Sequence, residues 1–181
     1  MTGRLQLIEQ KLLAIDSAGF QNLCDTYLLL REEEFISFNR TGSQSGKQKT
    51  IKGTPDTFYR LANGTLGFVE YTTQHDSITK KVIEDIEKCL DETKTSVPAT
   101  EIRKIAICFN SRLDTSEEAE IIKFAQSKGV QIELVGLDRL AIEICSKYLI
   151  LAKNFLGMPL DTGQVLPIQK FIEEYNNKVV K

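Results

Sequence analysis

The sequence predicts an α/β (α+β) fold: a central mixed β-sheet flanked by helices. Three observations carry this. Short apolar runs at 35–38, 56–61, 65–73, 104–109 and 130–135 have strand length and strand composition. The first three follow one another without a helical pattern between them, and Asn63-Gly64 is a strong two-residue hairpin signal. The last two alternate with amphipathic helices, the arrangement that builds parallel strands with helices on the sheet faces.

The elements follow in order. Residues 4–15 carry Leu5, Leu7, Ile8, Leu12 and Leu13 on roughly one side, an amphipathic helix. Asp16-Ser17 interrupts it, with Ser17 the expected N-cap of a second helix over 19–31. Residues 40–53 are polar and glycine-rich and read as a loop. After the hairpin, a helix is expected over 77–94, where Ile78, Val82, Ile86 and Leu90 recur every four residues, with Asp76 or Ser77 as its cap. The strand KIAICF at 104–109 leads to a helix over 116–128 that Gly129 closes. The last strand precedes one long helix or two over 137–156, and a final helix is expected over 168–180. One domain is thus expected over residues 1–157, with 158–181 a loop and helix leading out of it.

The 181 residues are 41% hydrophobic and 27% charged, which is globular rather than disordered composition. Twenty-three basic residues stand against 25 acidic ones, so nucleic-acid binding would need a local patch. No apolar run is long enough to span a membrane, and no signal peptide is visible. Cys24, Cys89, Cys108 and Cys145 lie far apart in apolar runs; they read as buried free thiols of a reducing, cytoplasmic setting. The segment GSQSGKQ is not a phosphate-binding loop: three residues separate its glycines where four are required, and Gln48 stands where a hydroxyl should hold Mg²⁺.

The chemistry concentrates in GTPDTFYRLANGTLGFVEYTTQ, residues 53–74. Strand alternation sends Glu70, Thr72 and Gln74 to one face and Tyr71 to the other. Counting outward from the turn brings Asp56 opposite Glu70 or Tyr71, so two carboxylates meet across the ladder. A charge in the middle of an apolar strand either lies on a solvated face or needs a partner. Two carboxylates suit Mg²⁺ or Mn²⁺, which take oxygen ligands. Arg40, Lys47, Lys49 and Lys52 form a run without acids, suited to a DNA backbone. His75, the single histidine, reads as an exposed loop residue.

GTPD, a hairpin and VEYTTQ together resemble the PD-(D/E)xK nuclease superfamily, the restriction-endonuclease-like fold, whose helix, three-stranded meander, helix and strand match the order from Gly19 to Phe109. The chain looks most like Mrr-like domains at the N-terminus of large bacterial NTPases of phage defence, with FQNLCDTYL and PLDTGQVLPIQKFI as the segments that carry that likeness. The resemblance implies a Mg²⁺- or Mn²⁺-dependent DNA endonuclease, the effector end of a longer protein with an NTPase sensor, possible as a homo-oligomer, with Asp56 and Glu70 as metal ligands. Two positions depart from the pattern. Thr72 stands where the family has lysine, which leaves Thr72 itself, Gln74 or a lysine of the following helix, Lys80 before Lys81, for that role. Gln21 stands where the first core helix carries an acid, with Asp25 one turn later. The alternative expectation is a nuclease-fold module impaired in catalysis that binds DNA or protein.

Overall fold

A computed structural model describes residues 2–31, 35–40, 55–61 and 63–159. The expected helix over 168–180, and Lys47, Lys49 and Lys52, lie outside them.

Five strands form one mixed sheet in the order β1-β2-β3-β4-β5. They are β1 Phe35–Arg40, β2 Thr57–Leu61, β3 Leu66–Thr72, β4 Ile102–Phe109 and β5 Gln131–Val135. The first three pair antiparallel; β3-β4 and β4-β5 pair parallel. Seven α-helices, α1 Thr2–Ala14, α2 Ser17–Arg31, α3 Ile78–Leu90, α4 Glu92–Thr95, α5 Thr115–Ser127, α6 Leu137–Ser146 and α7 Leu149–Leu156, and a 3₁₀ turn at Ala99–Glu101 complete the described chain.

Alternation along β3 and β4 divides the core into two layers. Val69, Ala106 and Cys108 face α1, α2, α6 and α7, where Phe20, Leu23, Leu140 and Leu151 fill the space. Phe68, Ile105 and Ile107 face the other way, onto Val82 and Ile86 of α3 and Ile121 of α5. β3 is therefore buried on both faces, which explains its nearly unbroken apolar sequence.

Three local readings are corrected. The hairpin closes on Leu61 and Thr65, with residues 62–64 between them, and Gly64 takes the left-handed conformation at φ 82°. A three-residue loop with a glycine in that region replaces the two-residue turn. Asn63 Oδ1 accepts from Thr65 N at 3.0 Å and ties the loop down. Asp16, not Ser17, caps α2, its Oδ1 accepting from Gly19 N at 2.7 Å. The helix expected over 77–94 stops at Leu90, because Asp91 accepts from Thr93 N and starts the separate short α4.

The residues 137–156 form two helices, broken at Lys147–Tyr148. The Tyr148 ring packs edge-on against Tyr27, with centroids 5.7 Å apart. Three of the four free cysteines are buried, and Cys145 is half-buried. Among the described residues no helix is long and apolar enough to cross a membrane.

Candidate functional site

The register of the hairpin makes the site. Thr57 pairs with Val69, which sets Asp56, one residue outward, beside Glu70. Asp56 Oδ2 accepts from the Tyr71 backbone N–H at 3.3 Å, and its carboxyl hydrogen-bonds that of Glu70. Glu70 Oε1 accepts from the Cys89 thiol at 3.5 Å. Glu70 is only 8% exposed.

Burial pushes the Glu70 carboxyl well above the usual range, and the charges of Asp56 and Asp85 add to it. Burial also raises Asp56, opposed by the Tyr71 N–H, the Glu70 hydrogen bond and the Lys81 ammonium. Two carboxyls in hydrogen-bond contact in a shielded place share a proton rather than both ionise. In its doubly ionised form the pair would offer oxygen ligands of the kind Mg²⁺ and Mn²⁺ take.

Helix α3 brings the neighbouring charges. Asp85 is 2% exposed. Both of its carboxylate oxygens meet Lys81 Nζ, and Oδ1 also takes Lys88 Nζ at 3.2 Å. Spacings of four and three residues put Lys81, Asp85 and Lys88 on one helix face. Burial pulls the Lys88 ammonium down, but the hydrogen bond and charge of Asp85 outweigh it and its pKa is raised.

The remaining candidates fall elsewhere. The Lys80 side chain is 80% exposed and pairs with Glu84 at 3.9 Å. Thr72 is buried, and its Oγ1 accepts from Gln74 N at 3.1 Å. Gln74 does not continue the face of Glu70, because β3 ends at Thr72; it is exposed, and its amide donates to the Asp76 carbonyl at 2.5 Å.

Asp25 lies on the opposite layer, fully buried, where it accepts from Thr57 Oγ1 at 3.1 Å and from the Tyr71 hydroxyl. Burial, then the Asp25 and Cys108 charges, push that tyrosine well up. Gln21 sits one turn before Asp25, 6% exposed, and its Nε2 has no partner among the described residues. Arg40 ends β1. His75 is exposed, and Ser77 enters α3 at φ 54° without making the expected side-chain cap.

Sequence reasoning did not single out Asp85, Lys88 or Cys89, and it ranked Lys81 below Lys80. A signal was present: Lys81, Asp85 and Lys88 border the apolar stripe of Ile78, Val82, Ile86 and Cys89, so they flank the sheet. Among the described residues no three His, Cys, Asp or Glu side chains are spaced as a ready-made metal cage. Mg²⁺ needs fewer protein ligands than that, since it keeps several waters and is held by one or two carboxylates.

No protein-family model matches the chain, and no curated protein sequence matches it.

Proposed function

We propose that this chain is a metal-dependent DNA endonuclease domain of the restriction-endonuclease-like kind. The observation that carries the reading is the buried Asp56–Glu70 pair, which repels its own second charge and so favours a cation, with the Lys81–Asp85–Lys88 face of α3 beside it. Asp56 and Glu70 would hold Mg²⁺ or Mn²⁺. Such an ion activates a bound water and neutralises charge on a phosphodiester.

The chain's own residues supply the rest. The Tyr71 N–H fixes the outward oxygen of Asp56, and the Cys89 thiol fixes Glu70. Lys81 takes the place of the lysine missing at Thr72: an ammonium on the helix lies near the acids and can offset charge that develops on the phosphate oxygens. DNA is the substrate proposed, with Arg40, Lys47, Lys49 and Lys52 as backbone contacts. The biological setting proposed is a cytoplasmic phage-defence effector within a longer NTPase protein, where assembly of several copies raises avidity.

The test is a supercoiled plasmid with Mn²⁺ or Mg²⁺, the wild-type protein, Asp56→Asn and Glu70→Gln. Cleavage by the wild type that both substitutions abolish supports the reading. Cleavage that survives both refutes it. A second reading, a nuclease-fold module that binds DNA or protein without cutting, is favoured by the buried, uncharged Thr72 at the lysine position. Retained DNA binding with no cleavage under any metal would select it.

A further inference from the structure

We infer that Asp85 is the positioning residue of this site: its buried carboxylate grips the Lys81 and Lys88 ammonium groups and fixes Lys81 on the face of α3 from which Cys89 reaches Glu70. The inference rests on the nuclease reading for what Lys81 does, but not for how Lys81 is held.

Lysine is a point charge on a flexible four-carbon stem, so it is a poor fixed cation unless something holds it. Asp85 does so with both oxygens, and at 2% exposure it cannot swing into solvent. Lys88 donates to Oδ1 of the same carboxylate at 3.2 Å. Packing alone gives no reason for an acid here. Val82, Ile86 and Cys89 of the same helix pack in the apolar core, and the charge of Asp85 opposes both Asp56 and Glu70. A carboxylate buried beside two others is unfavourable by itself. It is consistent with a requirement to anchor a cation at that spot.

Lys81 keeps part of its surface open, with its side chain 27% exposed, so a phosphate can reach it while its position is held. Lys80, one residue earlier and 80% exposed, has among the described residues a long contact to Glu84 and no such anchor.

The experiment compares wild type, Asp85→Asn, Lys81→Ala and the double variant, each checked for cooperative thermal unfolding. In single-turnover plasmid cleavage with Mn²⁺, Asp85→Asn should slow the reaction about ten- to a hundredfold with little change in the DNA concentration required. In the Lys81→Ala background the same substitution should add nothing, because its target is gone. Independent, multiplying losses, or a faster Asp85→Asn enzyme, would overturn the inference.

A second readout needs no activity. Nζ proton exchange of ¹⁵N-labelled Lys81 should be about tenfold slower in the wild type than in Asp85→Asn, as expected for an ammonium held by a buried carboxylate. Equal exchange rates overturn the inference even if the wild type never cuts DNA. Absence of cleavage by the wild type, with slow exchange present, would instead reject the nuclease reading and keep the anchoring role.

Discussion

Glu70→Gln in the metal-free protein should remove a pH dependence of stability. Glu70 is 8% exposed, and its folded-state pKa is raised, by burial first and by Asp56 and Asp85 next. The folded chain therefore keeps a proton that the unfolded chain releases above its ordinary value of about 4.3. Stability is full below that value and falls as pH rises toward the folded value. For one proton the slope reaches about 1.4 kcal/mol per pH unit.

Glutamine titrates nothing, nearly matches the shape, and can still donate to Asp56 and accept from Cys89. The variant should lack that slope and exceed the wild type in stability at the upper end of the window. Urea unfolding in EDTA at fixed ionic strength, at a series of pH values rising from about 4.5, measures it. Mn²⁺ at about a hundred times its Kd should then restore about 2.7 kcal/mol to the wild type and nothing to the variant. Parallel stability curves for the two proteins without metal would refute the reasoning about the shared proton.

Gly67→Ala should cost about 3 kcal/mol or more, read by urea unfolding, because a Cβ there would overlap the buried Tyr59 ring directly across the ladder. Glu133 behaves oppositely to Glu70. Burial raises its pKa, but contacts to Lys104 at 2.5 Å, Arg31 at 2.7 Å and Arg139 at 3.1 Å outweigh that and lower it. Its contribution is present above the unfolded value and lost as pH falls through the folded one, so Glu133→Gln should destabilise by about 2 kcal/mol at neutral pH and less in acid. Tyr71→Phe removes a donor to the buried Asp25 and should cost about 1–3 kcal/mol of stability while leaving Mn²⁺ affinity unchanged, since Tyr71 faces the other layer. Lys80→Ala should cut plasmid like the wild type, whereas Lys81→Ala should lose about a hundredfold in rate.

The meeting of Asp56 and Glu70 was legible because a short hairpin fixes register, and register fixes which side chains oppose. Even with a three-residue loop in place of the expected two, the count from Asn63-Gly64 outward gave the same neighbours. The mixed sheet was legible for a similar local reason, the change from helix-free links to helical ones.

What failed depended on where an element stops or which flank of it faces the sheet. Alternation assigned Gln74 to the site, but β3 ends two residues earlier. The stripe of α3 located the helix against the sheet, yet its two polar borders look alike in sequence. Only packing shows that Asp85 is buried and holds Lys81, while Lys80 stays exposed. Gln21 and Asp25 were candidates for the metal shell because the resemblance implies an acid at that place on the first core helix. That helix packs on the layer Tyr71 faces, so Asp25 serves tertiary hydrogen bonds there.

Asp56 and the Tyr71 backbone that holds it are 15 residues apart in the chain, and Lys81, Asp85 and Cys89 follow in the next helix. The candidate chemistry is thus encoded in one contiguous segment rather than gathered from distant parts. Hairpins close in about 1–10 μs and helices faster, so the acids can be brought together before the parallel strands add their slower, long-range pairing. Above the window in which the pair keeps its proton, that early hairpin must form against the repulsion of its own two charges. A divalent cation present during refolding would relieve it. The refolding rate, and not only the final stability, should therefore carry the signature of the ion.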